Sequence, residues 1–159
     1  MPHASPFDWS ASPVAQQIEH LRGLSPEAFH RALVAYDWAL APEPVLGWAM
    51  AQRGIDLCTA LGVFFNGDPG RFNYMPKAHV PEAYRGVARV LDNICLRVNS
   101  GFYLIYPGKT PCCQARLSAW LGFQQADRAE GRRGRWMLDE RILAPMLEDD
   151  LRLPRKTAV

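Results

Sequence analysis

The sequence predicts a mainly α-helical, all-α protein with a single domain. Apolar residues recur at helical spacing over most of the chain, breaks that contain proline or glycine separate these runs, and one short stretch alone is strand-like. A length of 159 residues suits one domain that buries its core without disulfides or metal. We predict an irregular helical bundle or a small helical-repeat-like array over residues 12–150, with a loose segment at 1–11 and a frayed tail at 151–159.

Serine–proline pairs mark the starts of the first two helices. Ser12 with Pro13 predicts a short helix that ends near Gly23, and Ser25 with Pro26 repeats the signal. The second helix carries an apolar stripe at i, i+3, i+4 and i+7, formed by Phe29, Ala32, Leu33 and Tyr36. We therefore expect this stripe to face the core.

Two short apolar helices are predicted next. Residues 44–52 are apolar on nearly all sides, which is typical of a helix enclosed by its neighbours. Asp56 can cap the following helix, which has a wide apolar face and ends at the turn residues 66–70. We expect the helix after Asp56 to be central in the fold.

The clearest helical periodicity begins at Pro81. Its apolar stripe consists of Tyr84, Val87, Ala88, Leu91, Ile94, Cys95 and Val98. The run stops at residues 99–101, and the aromatic stretch at 102–106 follows. Because a lone strand would have nothing to pair with, we predict a packed loop for this stretch.

The C-terminal third predicts two more helical segments. Residues 112–125 read as a helix that carries Leu117, Trp120 and Leu121, and residues 127–135 form a polar connection with glycines. Residues 136–147 are amphipathic, and Pro145 must kink or end that segment.

Composition and charge exclude several classes of function. The hydrophobic content of 48% and charged content of 21% are ordinary for a globular protein, and a net charge of +2 gives no field that attracts nucleic acid. The chain start lacks the pattern of a secretory signal, and no apolar run approaches the ~18 residues of a membrane span. We therefore expect a cytoplasmic protein with reduced cysteines and no membrane partner.

One segment resembles a known family. Tyr36, Asp37 and Trp38, the acidic Glu43 after them, and the run DLCTAL at 56–61 are similar to the core signature of an uncharacterised bacterial domain family. Members of that family carry a Tyr-Asn-Trp-Asp-Asp-Gly-like opening and a Cys-Asp-Leu-Gly-Thr-Ala-Leu-like helix start, whereas this chain has Ala-Leu-Ala at 39–41. The resemblance covers residues 29–69, and it implies a mainly helical bacterial domain without implying a reaction.

No catalytic residue, metal ligand or cofactor is predicted. The adjacent Cys112 and Cys113 are the most reactive-looking pair, since vicinal thiols bind soft metals or oxidise, but no further ligand follows at a metal-binding spacing. The histidines lie scattered, at His3, His20, His30 and His79. His30 falls on the polar side of its helix, which predicts a solvated side chain.

Phosphate chemistry finds little support in the sequence. Residues 67–70 are turn residues and lack a phosphate-loop pattern. The basic run from Arg128 to Arg135 could contact phosphates or an acidic protein, but it contains glycines and no interleaved aromatic residues. We interpret this run as a solvated connection and do not expect a nucleic acid as partner.

The predicted binding residues are Trp38, Glu43 and Trp48. Pro42 and Pro44 make a rigid connection around Glu43, and the two tryptophans offer apolar mass nearby for an anchor. The leading hypothesis is a non-enzymatic protein-interaction module, an accessory or immunity-type partner of another bacterial protein. The alternative is an enzyme, a hydrolase or a thiol-dependent catalyst, whose residues converge only in the fold.

Overall fold

The computed structural model describes residues 5–106 and 113–147 of the chain. Within these ranges the protein has seven α-helices and no β-strand, so the predicted mainly α class is confirmed. The helices are α1 (Val14–Arg22), α2 (Pro26–Ala35), α3 (Pro42–Ala49), α4 (Leu57–Asn66), α5 (Arg85–Asn99), α6 (Gln114–Ala129) and α7 (Glu140–Leu143). Every helix of the described ranges is too short or too polar to cross a lipid bilayer.

The first two helices begin close to the predicted positions. Pro13 is the N-cap of α1, and Ser12 does not cap it, because the Ser12 hydroxyl donates to the Asp8 carbonyl at 2.6 Å. Ser25 caps α2 as predicted, with its Oγ accepting from the backbone N–H of Ala28 at 3.3 Å.

The chain before α1 is packed at Phe7 and Trp9, where the sequence predicted a loose segment. The Phe7 ring stacks on His20 with centroids 3.9 Å apart, and the Trp9 ring meets Tyr36 edge-on at 5.6 Å. The Gln17 amide also donates to the Trp9 carbonyl at 3.0 Å. Two aromatic side chains thus give this segment enough contact area to hold it against the helices.

Helix α4 is the centre of the core, as predicted. Nine of its ten residues are buried, and the helix packs against α2 and α5. Asp56 caps it, since Oδ1 accepts from the Thr59 N–H at 2.6 Å. Because almost no side of α4 contacts water, the short helix is held by packing more than by its own propensity.

Helix α3 begins two residues before the predicted start. Its first turn contains Pro42, Glu43 and Pro44, for which the sequence predicts a rigid connection outside the helix. Proline is tolerated in a first helical turn because the N–H groups there have no intrahelical partner. Glu43 is therefore presented by a helix and not by a loop.

Helix α5 confirms most of the strongest predicted stripe, although Val87 is only half-buried and Val90, which lay outside the predicted stripe, is buried. Its buried residues are Ala88, Val90, Leu91, Ile94, Cys95 and Val98. Tyr84, predicted on the same stripe, is 38% exposed because it lies in a 3-10 turn (Glu82–Tyr84) before the helix. The tighter winding of a 3-10 turn moves its side chains off the α-helical stripe.

The stretch at 102–106 is a loop, as predicted, with a single parallel backbone bridge. The Leu57 N–H donates to the Leu104 carbonyl at 2.8 Å, and the Leu104 N–H donates to the Ile55 carbonyl at 2.9 Å. The bridge fastens this loop beside the start of α4.

The C-terminal region differs most from the prediction. Helix α6 ends at Ala129, and the chain from 132 to 138 is irregular, with a bend at Arg135 and a fully buried Trp136 where a helix was expected. Gln124 binds both backbone groups of Leu138, at 2.6 Å and 3.0 Å. A side chain of α6 thus provides the hydrogen bonds that a neighbouring strand would supply. Cys112 and the tail at 151–159 lie outside the described residues.

Candidate functional site

Two surface cavities separate the residues that the sequence grouped as one binding surface. Trp38 and Glu43 line a groove of about 660 Å³, the Trp38 groove, whose other walls include Arg71 and Tyr84. Trp48 instead lines a cavity of about 590 Å³, the His30 pocket. Both volumes fall in the range of ligand-binding cavities, ~300–1,000 Å³.

The floor of the Trp38 groove depends on a glycine. A Cβ atom on Gly67 would lie 2.6 Å from Trp38 Cη2 and 2.8 Å from Leu91 Cδ2, so only glycine leaves room for the indole there. The indole Nε1 is buried and has no hydrogen-bond partner in the described part of the chain. A buried donor without an acceptor is costly, so the packing around the indole must offset this cost.

Glu43 forms one rim of the groove. Its Oε1 accepts from Arg89 Nη1 at 2.7 Å, with the side chains 47% and 62% exposed. The hydrogen bond to Glu43 and its charge raise the pKa of the Arg89 guanidinium. A Cβ on Gly86 would lie 2.8 Å from Glu43 Oε2, so a glycine lets this carboxylate rest against α5. The carboxylate is thus oriented in advance and still reaches solvent.

The opposite wall holds a guanidinium on aromatic rings. Arg71 lies 5.0 Å from the centre of the Tyr84 ring and 5.9 Å from that of Phe72. Asp68, whose φ of 54° is left-handed, forms an ion pair with Arg71 at 3.3 Å. This wall therefore already accommodates one cation between aromatic faces and a carboxylate.

The sequence did not predict the residues of this wall. Arg71 forms part of no motif, and Tyr84, thirteen positions later, was predicted on the core-facing stripe of α5. The turn residues at 66–70 predicted a break in the chain at this place but indicated no site. In the structure Asp68, within this turn, has a left-handed backbone conformation.

The His30 pocket lies where α2 approaches the start of α4. His30 is part-buried and its Nδ1 forms a hydrogen bond with Thr59 Oγ1, so the predicted solvated histidine is wrong. Thr59 is only 3% exposed, which keeps its hydroxyl from acting as an accessible nucleophile. At the mouth, the Arg22 guanidinium lies 5.3 Å from the Trp48 ring.

The thiols of the described ranges do not meet a histidine in a cavity. Cys58, Cys95 and Cys113 are buried, and none of them lines the His30 pocket. His79 is exposed in the 3-10 turn Lys77–His79. Within residues 5–106 and 113–147 there is also no group of three or more metal-ligating side chains.

Cys95 should be inert in the folded protein. Burial raises the pKa of this thiol to about 11, and its Sγ contacts the Met137 carbonyl at 3.3 Å. At pH 8 the thiolate fraction is then about a thousandth. We expect iodoacetamide to leave Cys95 unmodified in native protein and to alkylate it after denaturation, as mapped by mass spectrometry. Rapid native labelling would contradict this assignment.

The basic run near the end of α6 is largely paired. Its ion pairs are Arg128 with Glu140 (2.9 Å), Arg132 with Glu130 (3.7 Å) and Arg135 with Asp92 (2.8 Å). These partners reduce the positive charge that this run offers to phosphates.

The fold and its cavities define a mainly α protein with an acidic, aromatic groove and a separate pocket of mixed polar and apolar lining. Comparisons of the chain with protein-family models, with curated proteins and with solved structures gave no match. The resemblance of residues 29–69 to an uncharacterised bacterial family therefore stays a prediction.

Proposed function

We propose that the protein is a non-enzymatic protein-interaction module that binds a segment of a partner protein in the Trp38 groove. The observation that carries this proposal is the acidic and aromatic lining of a cavity of about 660 Å³. A peptide segment supplies side chains that complement these walls.

The chemistry of the walls favours a basic partner segment. Glu43, Asp68 and Glu82 line the groove, whereas Arg71 is the cation among its lining side chains. Arg71 already rests on Tyr84, so an arginine of the partner can use the same kind of contact beside the carboxylates. The expected partner therefore exposes an arginine or lysine.

The arrangement in the His30 pocket supports this proposal over the enzyme alternative. His30 contacts the buried Thr59, and no cysteine of residues 5–106 or 113–147 lines this pocket. An accessory or immunity-type role is the form of interaction that the sequence led us to expect, and it is part of the same proposal.

Glu43→Lys should weaken binding of a partner purified with the protein by at least about tenfold. The substitution places a cation where the proposed partner presents one, and it lies on the exposed end of α3. Because Glu43 and Arg89 are largely exposed, we expect an unchanged melting temperature. Titration calorimetry with the purified partner measures the affinity, and circular dichroism checks the fold.

Controls separate recognition from structure. Glu130→Lys makes the same charge change outside the groove and should bind normally, as should His30→Ala and His79→Ala. The double variant Glu43→Lys with Arg89→Glu restores an ion pair but should still bind weakly. Wild-type affinity in a folded Glu43→Lys variant contradicts the proposal, and loss of a measured turnover in either histidine variant would move the protein to the enzyme class.

A further inference from the structure

Four cationic side chains surround a small cavity that the proposed function does not use. This basic cavity of about 190 Å³ is lined by Lys77, Arg85, Arg89 and Arg135 together with Ala78, Val80 and Ala88. No acidic side chain is among these lining residues. Arg85 and Arg89 are four positions apart on α5 and therefore lie on one face of the helix.

The positive charge of the basic cavity is only partly compensated. Arg89 pairs with Glu43, and Arg135 pairs with Asp92. Lys77 and Arg85 have no carboxylate partner within the described ranges. Like charges held around one cavity repel each other, so an anion bound between them relieves that repulsion.

Arg135 adds a positive charge that is held in place beside the basic cavity. Asp92 accepts from its Nε at 2.9 Å and from its Nη2 at 2.8 Å, which fixes the plane of the guanidinium. Because a fixed cation loses little conformational entropy when an anion binds, Arg135 can contribute its charge at low cost.

We propose that the basic cavity binds a phosphate group, either as inorganic phosphate or as the head of a small phosphate monoester. Guanidinium and ammonium donors around one point match the several acceptor oxygens of this group. The volume lies below the ~300–1,000 Å³ of cavities that enclose whole ligands, so the cavity takes the charged head and leaves the rest of the molecule outside.

Titration calorimetry with inorganic phosphate and with phenyl phosphate, at constant ionic strength set by chloride, tests this proposal. We expect saturable binding of at least one of the two. Equal affinities indicate that the head group alone is recognised, and tighter binding of phenyl phosphate indicates a monoester ligand. Absence of saturable binding for both compounds overturns the proposal.

Variants of the unpaired cations decide whether the basic cavity is the site. Lys77→Gln and Arg85→Gln should each weaken phosphate binding by about tenfold or more. Because both side chains are exposed, neither substitution should change the melting temperature. Arg133→Gln is the matched control, because Arg133 is an exposed arginine that does not line the cavity. This variant should bind phosphate as the wild type does. Unchanged affinity in the first two variants, or an equal loss in Arg133→Gln, contradicts the assignment.

Discussion

Leu91→Asp is expected to destabilise the folded protein by at least about 4 kcal/mol, which is enough to unfold most small domains. Leu91 is fully buried on α5, where its Cδ2 lies beside Gly67 and the Trp38 ring. The carboxylate would have neither water nor a cationic partner in this apolar contact. Urea unfolding followed by circular dichroism measures the loss.

Two variants of α5 serve as controls for this result. Asn93→Asp introduces the same charge at an exposed position two residues away and should melt like the wild type. Leu91→Met keeps the apolar volume and should cost less than about 1.5 kcal/mol. Cooperative unfolding of Leu91→Asp at the wild-type midpoint would show that this stripe does not face the core.

Asp92→Ala should destabilise the protein by about 2–3 kcal/mol. Asp92 accepts two hydrogen bonds from Arg135 and a third from Trp136 Nε1 at 2.8 Å. Its removal leaves a guanidinium that is only 16% exposed without its counter-ion. The expected loss is below the ~3–5 kcal/mol of a fully buried pair, because the Asp92 side chain is 34% exposed. Urea unfolding measures it.

The matched comparison for Asp92 is an exposed ion pair. Glu130→Ala removes the partner of Arg132, where both side chains are more than half exposed, and should cost less than about 1 kcal/mol. Equal stabilities of the Asp92→Ala and Glu130→Ala variants would show that Asp92 does not hold the irregular segment at 132–138 in place.

Local signals in the sequence were sufficient for most of the helices. The stripe of α5, the caps at Ser25 and Asp56 and the break after Asn66 all rest on residues within one or two turns of each other. Such short-range patterns act on the backbone wherever the helix lies in the fold.

The irregular segment around Trp136 could not be predicted in this way. Asn73 accepts from the Arg135 and Trp136 N–H groups at 2.7 Å and 3.1 Å, and Gln124 binds Leu138. The amphipathic pattern favoured a helix there, but polar groups from other parts of the chain pair with its backbone and keep it out of a helix. Tertiary hydrogen bonds thus override a local preference.

By itself the sequence determined the mainly α class and the central position of α4. It also grouped Trp38 with Glu43, and these two residues line the same groove. Only the tertiary structure moved Trp48 to another cavity, joined His30 to Thr59 and gathered the four cations of the basic cavity from positions 77 to 135. The physical reason is that spacing along the chain specifies which side of a helix a residue occupies. Which helices meet on that side depends on how their apolar faces pack together.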